Sequence, residues 1–223
     1  ENKGWYNYGS EIPDKTTTEI VGNDIKYIVD FENGQKTGFF LDQKYNRLAV
    51  KDICHGLTVL DCCTHTGSFA MNAYLGGAKR VVALDVSAKA LEDAKKNFAL
   101  NNMNIETKCG DMFEVLEEMV QSKQKEYDLI ILDPPAFTKN RSTIGSAMKG
   151  YEELNYLAMK ALKRGGYLVT ASCSHFASQE LFREAIFKAA LKANVNLKEI
   201  MSSGASFDHP VLWGVGETEY LHF

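Results

Sequence analysis

The stretch "DCCTHTGSFA", residues 61–70, decides the fold. It joins an apolar run from Leu57 to Cys62, read as a buried strand, to a helical pattern from Gly67 to Leu75. A strand that ends in an acid and turns tightly into a helix marks a ligand-binding end of an α/β sheet. In dinucleotide binders this turn reads Gly-x-Gly-x-x-Gly, because the backbone must approach a pyrophosphate closely. Cys63 and His65 occupy positions where glycine would be needed, so a dinucleotide is disfavoured. Gly67 remains at the helix N-terminus, where free N–H groups suit a carboxylate.

Outward from this turn, apolar runs and helical patterns alternate. Strands are read at Leu57–Cys62, Arg80–Leu84, Ile105–Lys108, Tyr127–Leu132 and Tyr167–Ser172, with two short ones near Leu197–Met201 and Glu217–Phe223. Between them, Ser87 can cap a helix carrying Leu91, Ala94 and Phe98 on one face. Further helices start at Met112, at about Tyr151 and at Gln179, and Lys163-Arg164-Gly165-Gly166 closes the second of these at Leu162. The alternation predicts a Rossmann-like α/β domain: a seven-stranded, mostly parallel sheet with helices on both faces. The first 50 residues depart from the pattern. "TTTEIVGNDIKYIVDF" reads as a hairpin around Gly22-Asn23-Asp24, with β-formers Thr18, Ile20, Ile25, Tyr27 and Val29. Residues 1–33 are taken as a hairpin and linker segment, and 34–223 as the main domain.

Bulk properties agree with one such domain. The chain has 223 residues, 45% of them hydrophobic, and no apolar run long enough to span a membrane. A soluble, cytoplasmic protein is expected. The start Glu1-Asn2-Lys3-Gly4 is not a signal peptide, and the missing initiator methionine suggests a fragment of something longer. Five cysteines, at 54, 62, 63, 109 and 173, show no paired spacing and read as reduced thiols. A net charge of −4 argues against a broad nucleic-acid footprint. The stretch from Thr138 to Gly150 is a local exception, carrying Lys139, Arg141 and Lys149 without an acid.

Polar and reactive residues gather at the strand ends: "DCCTHTGSF", "ALDVS", "CGDMF", "LDPPAF" and "ASCSH". S-adenosylmethionine contains no pyrophosphate, so Gly67 alone can serve it. Asp85 stands where a carboxylate accepts both ribose hydroxyls, or else is a solvent-facing turn residue. Asp111 reads equally as an adenine-side residue and as the cap of the next helix, with Glu114 three residues on. His65 and His175 lie near cysteines, but their spacings match no zinc ligand pair, and no metal is expected.

The order of these segments resembles a class I S-adenosylmethionine-dependent methyltransferase. More narrowly it resembles the bacterial 23S ribosomal RNA large-subunit cytosine-5 methyltransferases that carry an N-terminal PUA domain. The residues carrying the resemblance are "GQKTGFFLDQKYNR" (34–47), "DCCTHTGSFA" (61–70), "DPPAFTK" (133–139), "GGYLVTASCSH" (165–175) and "ETEYL" (217–221), and it spans roughly residues 20 to 223. Two departures stand out. The PUA domain is absent from this chain, and Lys44 follows "FLDQ" where the family commonly has arginine. The resemblance implies a cofactor site of Lys36, Phe39, Phe40, Asp42, Asp61, Thr64, Thr66, Gly67, Ser68, Asp85, Val86, Asp111, Met112 and Asp133. It also implies RNA, ribosomal in origin, as partner, with no membrane and with a second copy of the chain as a candidate partner.

Cytosine carbon-5 is a poor nucleophile, so the ring must be activated by a thiolate adding to carbon-6. Cys173, at the end of the fifth strand, is the candidate, with an inert buried thiol as its plain alternative. Asp133 is placed to act as acid near ring nitrogen 3 if burial keeps it partly protonated. A flipped base would then stack on Phe137 beside the stiff Pro134-Pro135 turn, with Lys139 and Arg141 along the phosphate path or simply solvated. Cys54, Cys62, Cys63 and Cys109 read as structural, and His175 can tune Cys173 or satisfy backbone groups. Three rivals stay open: methylation of an exocyclic amine, a module that binds without catalysis, and a small-molecule methyltransferase.

Overall fold

The computed structural model describes residues 16–32, 38–138 and 140–223. Strands β1 (Thr17–Gly22) and β2 (Ile25–Asp30) form an antiparallel hairpin in register Gly22 to Ile25, turned by left-handed Asn23 and Asp24. Ile25, Tyr27 and Val29 alternate inward and bury, as the period of a strand demands. They join the same core as Val59, Ala83 and Phe98, so the hairpin is packed against the main sheet's helical layer.

A 3₁₀ turn, Leu41–Gln43, leads into α1 (Lys44–Ile53). Then β3 (Thr58–Cys62), α2 (Ser68–Leu75), β4 (Arg80–Asp85), α3 (Ala88–Leu100), β5 (Glu106–Cys109), α4 (Met112–Gln121), β6 (Leu129–Leu132), α5 (Ile144–Ala161), β7 (Tyr167–Thr170) and α6 (Gln179–Ala193) alternate. The five strands β3 to β7 pair in parallel in the order β5-β4-β3-β6-β7. Their Val, Leu and Ile runs are buried because helices cover both faces: one core lies under α2 and α3, the other under α4 and α5. The chain reverses direction across the sheet between β3 and β6. Ligands in such sheets bind in the crevice at that point.

Among the described residues the main sheet has five strands, not seven. Residues 195–200 are exposed and belong to no strand, so the apolar Leu197 and Ile200 join no ladder. The tail keeps one bridge, Ser172 to His222, and a reciprocal pair between Ser203 and Phe223. Two helices also exceed their sequence reading. Helix α5 begins at Ile144 rather than Tyr151, its first two turns hidden from propensity by Gly145 and Gly150, and α1 lay inside a stretch read as linker and motif.

Candidate active site

The carboxyl ends of β3, β4, β5, β6 and β7 open into one continuous cleft of about 530 Å³. At its centre is the turn after β3. Cys63, His65 and Gly67 all adopt left-handed φ, at 61°, 51° and 85°, so the chain alternates hand as it enters α2. A Cβ at position 67 would sit 2.3 Å from a Phe98 ring carbon, which explains why glycine stands there. Asp61 lies beneath this turn and is wholly buried. Its Oδ2 accepts from Thr64 Oγ1 at 2.6 Å and from the Ala70 N–H at 3.0 Å, clamping strand to helix. Burial pushes its carboxyl up to about 7, against the opposing pull of the Thr64 hydroxyl.

Asp85, ending β4, accepts from the His65 N–H at 2.8 Å and from the Ser87 N–H at 2.9 Å. It thereby pins the central turn to the next one while still lining the cleft. Asp111 caps α4 through its Oδ1, with Phe113 N–H at 2.8 Å, and also lines the cleft. Thr64, Thr66, Ser68, Val86, Met112 and Phe40 complete this side, and Phe40 meets His65 edge-on at 5.4 Å. Burial lowers the proton affinity of His65.

At the other end stand Asp133, Pro134, Pro135 and Cys173. Parallel pairing of β6 with β7 sets these two strand ends side by side, and the Cys173 thiol donates to the Pro134 carbonyl at 3.5 Å. Asp133 accepts from Gln43 Nε2 at 3.1 Å. Burial raises its carboxyl to about 6, with the Arg47 guanidinium pulling the other way. Burial also pushes the thiols of Cys54, Cys62 and Cys63 up, to about 12 for Cys54.

Several expected residues stand elsewhere. Asp61 and Gly67 support the cleft from below without lining it, and Phe39 is buried against Tyr27, ring centroids 4.7 Å apart, and against Arg47. Phe137 is not in the lining: it packs against Tyr151 at 4.6 Å, wedging the Pro-Pro turn onto α5. Arg141 is exposed and outside the cleft. Lys36 and Lys139 lie outside the described residues. Among the described residues no cluster of His, Cys, Asp or Glu could hold a metal.

Four contributors were not singled out from sequence. Gln43, Asn46 and Arg47 are almost fully buried polar residues, spaced three and four apart so that one face of α1 turns inward. Arg47 donates to the Phe40 carbonyl, lies over the Phe39 ring, and keeps an Nε without a partner among the described residues. Tyr220, from the tail, lines the cleft and donates to Asp42 Oδ2 at 2.6 Å. A polar run inside the quoted "FLDQKYNR" was the available signal.

An α/β domain with acids at the ends of β3, β4 and β5 and a left-handed Gly67 as the single glycine of the turn into α2 fits the class I methyltransferase arrangement. The comparisons are specific: residues 6–190 match the family model described as S-adenosylmethionine-dependent methyltransferase, and the chain belongs to that family. A Methanocaldococcus jannaschii protein with a provisional ribosomal RNA large subunit methyltransferase name is 43% identical, covering 93% of this chain and 53% of the relative. The ribosomal RNA large subunit methyltransferase I of Yersinia pseudotuberculosis is 37% identical, covering 91% and 52%. The chain thus spans about half the length of these curated relatives. A solved S-adenosylmethionine-dependent methyltransferase from Streptococcus mutans, provisionally so described, superposes with a TM-score of 0.83 at 24% identity over 97% of this chain and 56% of that one. At that identity the likeness speaks for the fold.

Proposed function

We propose that this chain is the methyl-transferring part of an RNA methyltransferase acting on large-subunit ribosomal RNA, and that it modifies carbon-5 of a cytosine. The names of the relatives support ribosomal RNA as substrate. The observation that carries the carbon-5 assignment is the juxtaposition of Cys173 and Asp133 at adjacent strand ends of one cleft. Three other thiols nearby are held protonated by burial, whereas Cys173 is half-exposed in the cleft.

The cleft fits the cofactor on its other side. The left-handed turn ending in Gly67 leaves the start of α2 clear for a carboxylate, Asp85 suits the ribose, and Asp111 and Met112 suit the base. Bound there, the cofactor supplies an electrophilic methyl group.

Cys173, as thiolate, forms a bond to carbon-6, and the displaced π pair is delocalised onto carbon-5 as Asp133 protonates ring nitrogen 3. Carbon-5 then forms its bond to the methyl carbon as the methyl–sulfur bond breaks. Loss of the carbon-5 proton to a base returns the electron pair, restores the double bond and expels the thiolate. Asp133 recovers its proton balance when nitrogen 3 is deprotonated.

Methylation of an exocyclic amine is the second reading, favoured by Asp133 and the Pro134-Pro135 turn after it lining the same cleft. Nucleoside mass spectrometry separates the two. Incubation of the full-length protein with large-subunit RNA and isotopically labelled cofactor should yield labelled 5-methylcytidine, lost in Cys173→Ala. A labelled amine-methylated nucleoside, undiminished by that substitution, would transfer the assignment to the second reading.

A further inference from the structure

A chain of amide hydrogen bonds runs from the tail to Asp133, and its direction is fixed. Asn46 Nδ2 donates to the Gly204 carbonyl at 3.2 Å and to Gln43 Oε1 at 2.7 Å, while Asn46 Oδ1 accepts from Ser203 Oγ at 2.7 Å. A backbone carbonyl can only accept, so the Asn46 amide cannot be flipped. Gln43 Oε1 is therefore the acceptor of that pair, and Gln43 must present its NH₂ to Asp133 Oδ1. Gln43 and Asn46 are 3% and 1% exposed, so water does not compete for these groups.

We infer that Gln43 and Asn46 are positioning residues that hold Asp133 Oδ1 as an acceptor and confine the acid's proton to Oδ2. The inference rests on Asp133 acting as the proton donor of the proposed reaction. Without the relay the proton would be shared between both oxygens, and half of the acid population would be misdirected. The charged groups acting on Asp133 are Arg47 from α1 and Asp42 from the turn before it, while Asp133 itself raises Asp61 and Cys63, from β3 and its turn, and Tyr151, from α5. Arg47 favours the carboxylate, as the Gln43 donor does, while Asp42 opposes it.

The test is a ¹³C NMR titration of the full-length protein labelled at aspartate carboxyls, with Asp133→Asn to assign the signal. Gln43→Met keeps the volume and removes the donor. Its Asp133 midpoint should rise by about one pH unit, the size expected for one hydrogen bond to a charged group. The high-pH limb of kcat, where loss of the acid's proton ends turnover, should move up with it at unchanged KM for the cofactor. Asn46→Ser should produce a smaller rise alone and none in the Gln43→Met background. It also carries the test should Gln43→Met fail to fold. An unmoved midpoint in both variants overturns the inference. A moved midpoint without a Cys173 adduct on RNA keeps the relay and removes the cytosine reading, whereas an adduct with an unmoved midpoint does the reverse.

Discussion

The two sides of the cleft are assembled over different distances along the chain. On the side proposed for the cofactor Asp61 meets Thr64 three residues away and Ala70 nine away, and Asp85 reaches His65 across 20. On the other side Cys173 meets Pro134 across 39 residues, Gln43 meets Asp133 across 90, and Tyr220 meets Asp42 across 178. The side proposed for the cofactor is a mostly local backbone device, formed once β3, its turn and α2 have paired with β4. The side proposed for the reaction is complete only when the whole sheet and the tail have docked, so it should be the more easily loosened of the two. Substitutions that affect one side alone test this division.

The largest effect is expected at the centre of the local device. Gly67→Val places a Cβ within 2.3 Å of the Phe98 ring and demands a left-handed φ from a β-branched residue. It should lower stability by about 2–4 kcal/mol and weaken cofactor binding at least tenfold. Thermal unfolding and calorimetric titration read both. Wild-type affinity in this variant would break the assignment of the turn to the cofactor.

Asp61→Asn probes the same device through pH. The folded-state carboxyl is raised to about 7, above its unfolded value near 4, so its protonated form is the one the fold favours. That contribution is fully present below about pH 4 and lost as pH rises through 7, a swing on the order of 2–4 kcal/mol. The melting temperature of Asp61→Asn relative to wild type should therefore climb between pH 5 and pH 8. A flat or falling difference would mean the buried carboxyl is not under this strain.

Tyr220→Phe, on the long-range side, gives the smallest effect. It deletes one hydrogen bond to Asp42 and should cost about 1 kcal/mol. Methyl transfer should fall several-fold while cofactor affinity stays within a factor of two. Equal losses in both would show that the two sides are not separable.

Legibility from sequence follows the same division. The strand-helix alternation, the hairpin at Gly22 to Ile25 and the capping roles of Ser87 and Asp111 depend on neighbours within a few residues, and each is where periodicity placed it. The Asp133 and Cys173 strand ends were legible because parallel sheets bring such ends together. What escaped was contact between distant segments. Phe137, expected to stack on a flipped base, packs its ring against Tyr151, and the polar Gln43 and Asn46 are both buried, Asn46 bonding to Ser203 and Gly204 of the tail. The polar run in "FLDQKYNR" is a local signal, but by itself it does not separate a buried polar residue with distant partners from a solvated one. The strand read near Leu197 failed for the opposite reason: Leu197 and Ile200 have strand propensity, but among the described residues they are exposed and pair with no strand.

The most direct test of the account is a trapping experiment. Full-length wild type and Cys173→Ala are incubated with methyl-tritiated cofactor and large-subunit RNA containing 5-fluorocytosine, which blocks the final elimination, and run on a denaturing gel. The account predicts a labelled protein–RNA adduct in the wild type that disappears in Cys173→Ala. Methylated RNA without an adduct, at equal levels in both proteins, would contradict it.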